Sequence, residues 1–189
     1  MLVWNTTIIA GVAVPKPYER EIMTMANIDA QTRCEIIDVY NAYGEGIDSK
    51  NWALVRSCFA DEVHIDYGET GAATGGSGAV RQADDWMLAL QSVINGFDVT
   101  RHTISNHRFR ETEEGVECRA YLTAEHIIFN DPAINYATAD EVAIVVGEYT
   151  NVCRHSESGW KICSSKLVTE YSQGNIGLFA VAGERAAAL

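Results

Sequence analysis

The pattern of apolar residues along the 189-residue chain predicts an α+β fold. Two observations carry this. Apolar positions recur at helical spacing up to about residue 94, and strict alternation takes over after Gly96. Four long alternating runs then follow one another, joined in pairs by the short turns "ETEEG" and "SESG".

The first helix spans residues 27–47, with Ile36, Tyr40, Tyr43, Gly44 and Ile47 on its buried stripe and Asn27 or Asp29 as its cap. A short second helix, 51–59, carries Trp52, Val55 and Phe59, and Asp48 or Ser49 is placed to cap it. "EVHIDYG" alternates as a strand. "GETGAATGGSGAV" holds five glycines but neither the Lys-Ser/Thr of a P-loop nor a GxGxxG, so it reads as a loop at a mouth rather than a phosphate cradle. A third helix, 80–94, sets Val80, Ala83, Met87, Leu90 and Ile94 along one side. Strands over 99–111, 116–130, 141–155 and 160–171 form a curved antiparallel meander. The division of the chain is an extension over 1–25, one domain over 26–172, and a tail over 173–189.

Composition narrows the function. Twenty-six Asp and Glu against 14 Lys and Arg give a net charge of −12, the wrong sign for nucleic acid or an anionic membrane. The five cysteines are widely spaced and contain no CxxC, which points away from a disulfide framework or zinc ribbon and towards a reducing, cytoplasmic setting. The apolar run over 8–14 is short for a membrane span and lacks a basic leader; a weak export signal is the alternative to an extension that packs in an oligomer.

"DVTRHTISNHRF" places two histidines five residues apart on a strand. Alternation puts His102 on one face with Ile104, and His107 on the other. Odd spacing disfavours a shared metal ion, and His102 is expected to face the enclosed side. His126 shares its face with Cys118, Ala120, Leu122, Ala124 and Ile128; a polar group on so apolar a stripe is either a substrate contact and proton donor or a buried structural partner. Tyr43 is either a core aromatic or a donor to a substrate oxygen. His64 and Asp66 share a face but lack a third metal ligand, so an exposed face is expected there, and no metal site is assigned. His155, beside a turn, is expected to be exposed.

Helix, short Trp-led helix, strand, helix and four long strands is the element order of the SnoaL-like, nuclear-transport-factor-2-like superfamily. "YNAYGEGIDSKNWALVRSCFADEV" resembles its first two helices, "TRHTISNHRF" its first long strand, and "GEYTNVCRHSESGWKI" its final hairpin, so the resemblance covers residues 26–171. It implies a cone: a curved mixed sheet wrapped around a pocket, a cystatin-like α+β barrel with three helices in the first half. The nearest branch holds scytalone dehydratase, bile-acid dehydratase and hexachlorocyclohexane dehydrochlorinase. Those enzymes eliminate water or HCl without a cofactor, through an Asp–His pair.

By motif the Asp falls on Asp48 and the His on His102. Tyr43 matches the bile-acid enzyme's tyrosine and His126 the second histidine of scytalone dehydratase. An Arg of some members falls on Ser165, while Lys166 alternates to the other face. Leu122, Ala124, Ile104 and Ser165 are the expected substrate contacts. The resemblance implies a homo-oligomer, most simply a trimer, acting on a small and mainly apolar molecule by elimination, or by isomerisation or cyclisation from the same proton abstraction. A non-catalytic assembly subunit, like the small subunit of ring-hydroxylating dioxygenases, is the competing class.

Overall fold

A computed structural model describes residues 28–68, 77–134 and 136–189. The expected N-terminal extension lies outside the described residues.

Helix α1 (Ala30–Ser49) begins where Asp29 accepts the Thr32 N–H at 2.9 Å and the Thr32 hydroxyl at 3.0 Å. Its buried residues Ile36, Tyr40, Tyr43, Gly44 and Ile47 form the expected stripe. The helix runs past the expected end and stops at Lys50, whose φ of 55° is left-handed. Asp48 is therefore inside α1 and does not cap helix α2 (Trp52–Ser57). Ser49 does not cap α2 either, because its hydroxyl donates to the Glu45 carbonyl; Asn51 takes the role by accepting the Leu54 N–H.

Strand β1 (Phe59–Asp66) is followed by a strand the sequence did not announce, β2 (Ser77–Gln82), paired antiparallel to it. Val80, expected on a helix stripe, pairs with His64 in β2 and is exposed. Its spacing to Ala83 and Met87 mimicked a helix that starts only at Ala83. Helix α3 (Ala83–Ile94) buries Ala83, Trp86, Met87 and Ile94.

Strands β3 (Val99–Thr112), β4 (Gly115–Ile127), β5 (Val142–Ser156) and β6 (Gly159–Gly174) form the antiparallel meander. The sheet order is β2-β1-β6-β5-β4-β3, with β1 parallel to β6, which makes it mixed and leaves it open at β2 and β3. Helix α1 crosses the inner face, where it packs most extensively on β3. The Tyr40 hydroxyl is anchored there, donating to the Cys118 carbonyl at 2.6 Å.

Alternation breaks in β3. Register shifts between Ser105 and Arg108, so Asn106 and His107 together oppose one residue of β4, and Asn106 takes φ 56°. The bulge turns His107 back to the face covered by α1, where its ring stands edge-on to Tyr40 at 5.1 Å. The expectation that His107 faces away from His102 fails for this reason.

The C-terminal tail is also more than a tail. Strand β6 continues to Gly174, and helix α4 (Leu178–Ala187) follows. Leu178 and Ala182 bury against Phe97 and Ala143 in a second small core. Gly96 allows this approach: a Cβ there would stand 1.9 Å from the Ala182 carbonyl oxygen. Arg185 clasps Asp98 at 2.7 and 3.2 Å. No helix of the described residues is long and apolar enough to cross a membrane.

Candidate active site

Asp48 lies in the last turn of α1, and the helix carries it against β3. Its carboxylate is shared among three donors. Oδ1 accepts the Thr100 hydroxyl at 2.9 Å and stands 2.7 Å from His102 Nδ1; Oδ2 accepts the His102 backbone N–H at 2.9 Å. Arg101 approaches Oδ2 at 4.0 Å with a side chain 70% exposed, so solvent screens it. Burial alone pushes the Asp48 carboxyl up, but the bonds from the His102 ring and backbone, the imidazole's charge and the Thr100 hydroxyl outweigh it and hold the group below the usual carboxylate range. An ionised Asp48 accepts from Nδ1–H, which fixes the tautomer and leaves Nε2 of His102 as a base. Both side chains are largely buried.

His126, on β4, meets His102 edge-on, with ring centroids 5.6 Å apart. Phe97 at 5.0 Å and Phe179 of α4 at 4.7 Å close around it. Only 4% of the residue is exposed and its Nδ1 has no hydrogen-bond partner. Burial, then the neighbouring His102, push its pKa down to about 3, so it stays neutral at ordinary pH.

Tyr43 belongs to a different group. Its ring packs on Phe59 and Tyr149 at 5.8 and 6.1 Å, and Tyr149 reaches Tyr67 at 6.0 Å. The three hydroxyls interact with one another, and burial pushes all three phenols up, so they remain protonated donors. Ser165, 2% exposed, joins them through its hydroxyl, 3.2 Å from that of Tyr67. This phenol group and the Asp48–His102 pair are neighbours along α1, since Gly44, next to Tyr43, lies against His102 and Ile104.

Leu122 and Ala124 are buried on the inner face of β4, each 2% exposed, and Ile104 is half-buried against the same core. His64 and Asp66 are half-buried rather than exposed, His64 beside the Ser164 hydroxyl and Asp66 beside Lys166. His155 is exposed. All five cysteines are free thiols, three of them buried.

Sequence reasoning missed Thr100, Tyr67, Tyr149, Phe97 and Phe179. Thr100 was within reach, because it shares the face of His102 two residues on. Phe179 was not, since nothing local to α4 says where the helix docks.

An open cone of α1 over a curved, mixed sheet defines the nuclear-transport-factor-2-like, cystatin-like class. Within it the chain belongs to the SnoaL-like domain family, whose model matches residues 29–166. No curated relative matches the chain at a significant level. Among solved structures, it resembles the Kfla4162 protein of Kribbella flavida with 26% identity and a TM-score of 0.65, over 84% of this chain and 99% of that one. A candidate scytalone dehydratase of Novosphingobium aromaticivorans is 18% identical, with a TM-score of 0.59 over 79% and 98% of the two chains. The type-3 hexachlorocyclohexane dehydrochlorinase of Novosphingobium barchaimii is 14% identical, with a TM-score of 0.59 over 78% and 92%. At such identities the last two speak for the fold alone.

Proposed function

We propose that this protein is a cofactor-independent lyase, a dehydratase-type enzyme acting on a small, mainly apolar hydroxylated ring or polyketide-like molecule. The observation that carries the reading is the 2.7 Å contact between Asp48 Oδ1 and His102 Nδ1, backed by the second bond from the His102 backbone to the same carboxylate. Asp48 holds the imidazole in one tautomer and stabilises the imidazolium that forms. His102 Nε2 removes a proton from carbon. The electron pair left behind forms the new double bond as the adjacent C–O bond breaks, and the hydroxide leaves as water after taking a proton. The proton it takes is the one held by the His102 imidazolium, and the protonated Tyr43 phenol and the N–H of neutral His126 are the hydrogen-bond donors available to the departing oxygen. A positioned acid and base contribute roughly 10²–10⁴-fold each in reactions of this kind. If the proton returns at another carbon, the same abstraction ends as isomerisation or ring closure.

Leu122, Ala124 and Ile104 supply the apolar wall, and Ser165 with its phenol partners the polar one. The proposed working form is a homo-oligomer, a trimer in the first instance, and the free thiols fit a reducing cytoplasm. The test is a screen of hydroxylated cyclic ketones with the wild-type protein and the variants Asp48→Asn and His102→Ala. Elimination by the wild type, weakened in the first variant and abolished in the second, supports the reading. A protein that binds such molecules yet turns over none of them fits the non-catalytic alternative and contradicts it.

A further inference from the structure

An imidazole held by a carboxylate is oriented only as well as the carboxylate itself is held. The Asp48 carboxylate takes two of its three hydrogen bonds from His102, the residue it orients. The His102 backbone N–H pins Oδ2, which leaves Oδ1 free to swing about that bond unless something else stops it. The ring Nδ1–H cannot be the stop, because its own direction is what Oδ1 has to set. Among the described residues, one hydrogen-bond donor to the carboxylate comes from outside His102: the Thr100 hydroxyl, 2.9 Å from Oδ1. Thr100 is 1% exposed, so bulk water does not compete for the bond. Its backbone is paired with His126 of β4 in the ladder, and its β-branched side chain has little rotational freedom. Helix α1 thus delivers the carboxylate and β3 fixes it. Asp48 also sits in the last turn of α1, where the helix dipole disfavours a negative charge and a neutral hydroxyl donor offsets part of that. Arg101, 4.0 Å from the other oxygen and 70% exposed, does not replace it.

We propose that Thr100 is a positioning residue: its buried hydroxyl fixes Asp48 Oδ1, so that the carboxylate meets His102 Nδ1 in one geometry before any substrate binds. The inference rests on the lyase reading for its effect on turnover, but not for the geometry it describes. Without the hydroxyl, Oδ1 and the imidazole locate only each other, and the pair rocks as a unit. His102 Nε2 then points at the reacting carbon for a smaller fraction of the time. At 1% exposure Thr100 does not reach a bound molecule, so the loss belongs to kcat and not to KM. A merely structural role makes the opposite prediction. A structural threonine supplies a packed methyl group, which valine keeps and serine loses. An anchoring threonine supplies the hydroxyl, which serine keeps and valine loses.

The first measurement needs no turnover. Proton NMR of the wild type should show the His102 Nδ1–H as a sharp, far-downfield signal, assigned by its loss in His102→Ala. In Thr100→Val that signal should broaden or vanish as the N–H exchanges faster with water, and in Thr100→Ser it should stay sharp. The second measurement is turnover of 3-hydroxycyclohexanone. Thr100→Val should lower kcat roughly tenfold, the loss of about one hydrogen bond, with KM unchanged. Thr100→Ser should recover most of that rate. If Thr100→Val does not fold, Thr100→Ala takes its place and is judged against Thr100→Ser, from which it differs only by the hydroxyl. A Thr100→Val signal as sharp as that of the wild type overturns the proposal, as does a Thr100→Ser protein impaired as much as Thr100→Val. A wild type without the downfield signal also overturns it. A protein that shows the full NMR pattern but turns over no hydroxylated ketone keeps the anchor and strikes the lyase reading, so the two failures are told apart.

Discussion

Asp48 grips His102 twice, once through the ring nitrogen at 2.7 Å and once through the backbone N–H at 2.9 Å. The two bonds use different oxygens of one carboxylate, so the imidazole is fixed both in tautomer and in position relative to its own strand. Removing the carboxylate therefore has separable effects. Asp48→Asn keeps a carbonyl acceptor and should cost folding only about 1 kcal/mol, while turnover falls by roughly 10²–10⁴ because the tautomer is no longer enforced. Asp48→Ala leaves the Thr100 hydroxyl and two His102 donors unmatched and should destabilise by about 1–3 kcal/mol. Urea denaturation beside ligand affinity distinguishes the two effects.

The acid limb of stability should belong partly to His126. Its folded pKa of about 3 lies below the 6.5 of an unperturbed histidine. Between those values the unfolded chain binds a proton that the folded protein refuses. Stability is therefore full above about pH 6.5 and drains away as pH falls towards 3, by about 2 kcal/mol on reaching pH 5. His107, pushed down by burial, acts with the same sign. Asp48, held below the usual range, adds a further loss at still lower pH. His126→Phe should flatten the slope between pH 6.5 and 5; an unchanged slope in chemical denaturation would show that His126 is not the group responsible.

Gly96 is the seat of helix α4. A methyl group there would collide with the Ala182 carbonyl, so Gly96→Ala should loosen α4 and cost about 1–3 kcal/mol. The signature is proteolytic cleavage near residue 176 in the variant before global unfolding. If the variant melts and resists protease like the wild type, the docking of α4 at this point is wrong.

His107→Ala should lower stability, because the ring packs edge-on against Tyr40 and its removal leaves a void beneath α1. Turnover should persist, since the Asp48 carboxylate bonds to Thr100 and His102 and, among the described residues, not to His107. Loss of activity matching that of His102→Ala would instead make His107 part of the chemistry.

Val168 and Tyr171 leave large apolar surface on β6, 46% and 57% exposed, as does Tyr121 on β4 at 41%. Self-association through the outer sheet face would cover them. Light scattering at micromolar concentration should give a trimer, and Val168→Glu with Tyr171→Glu should dissociate it. A wild-type monomer would refute this.

The inner face of β4 could be read directly from sequence because its register with β5 runs unbroken from Val116 to Ile127, so alternation alone places Leu122, Ala124 and His126. In β3 the same rule worked up to Ser105 and then misplaced His107. The cause is one residue, Asn106, of a type that tolerates left-handed backbone. Strand β2 was hidden by glycines before it and by a chance helical spacing from Val80 to Met87. Periodicity alone gave Asp48 no role, since capping a short helix and facing a strand look alike when the end of α1 is uncertain by two residues; only the family resemblance of the stretch around it pointed there. Phe179 and Trp86 depend on which surfaces meet across the chain, and periodicity does not report that.

The central claim is that His102 is the base. It is tested most directly by incubating a hydroxylated cyclic ketone in D₂O with wild type and with His102→Ala, and following the proton next to the carbonyl by NMR. Proton abstraction precedes elimination, isomerisation and cyclisation alike, so the measurement does not depend on which product forms. Loss of that proton is expected with the wild type, at a rate at least roughly 10²-fold lower in a folded His102→Ala. Undiminished exchange in His102→Ala would contradict it.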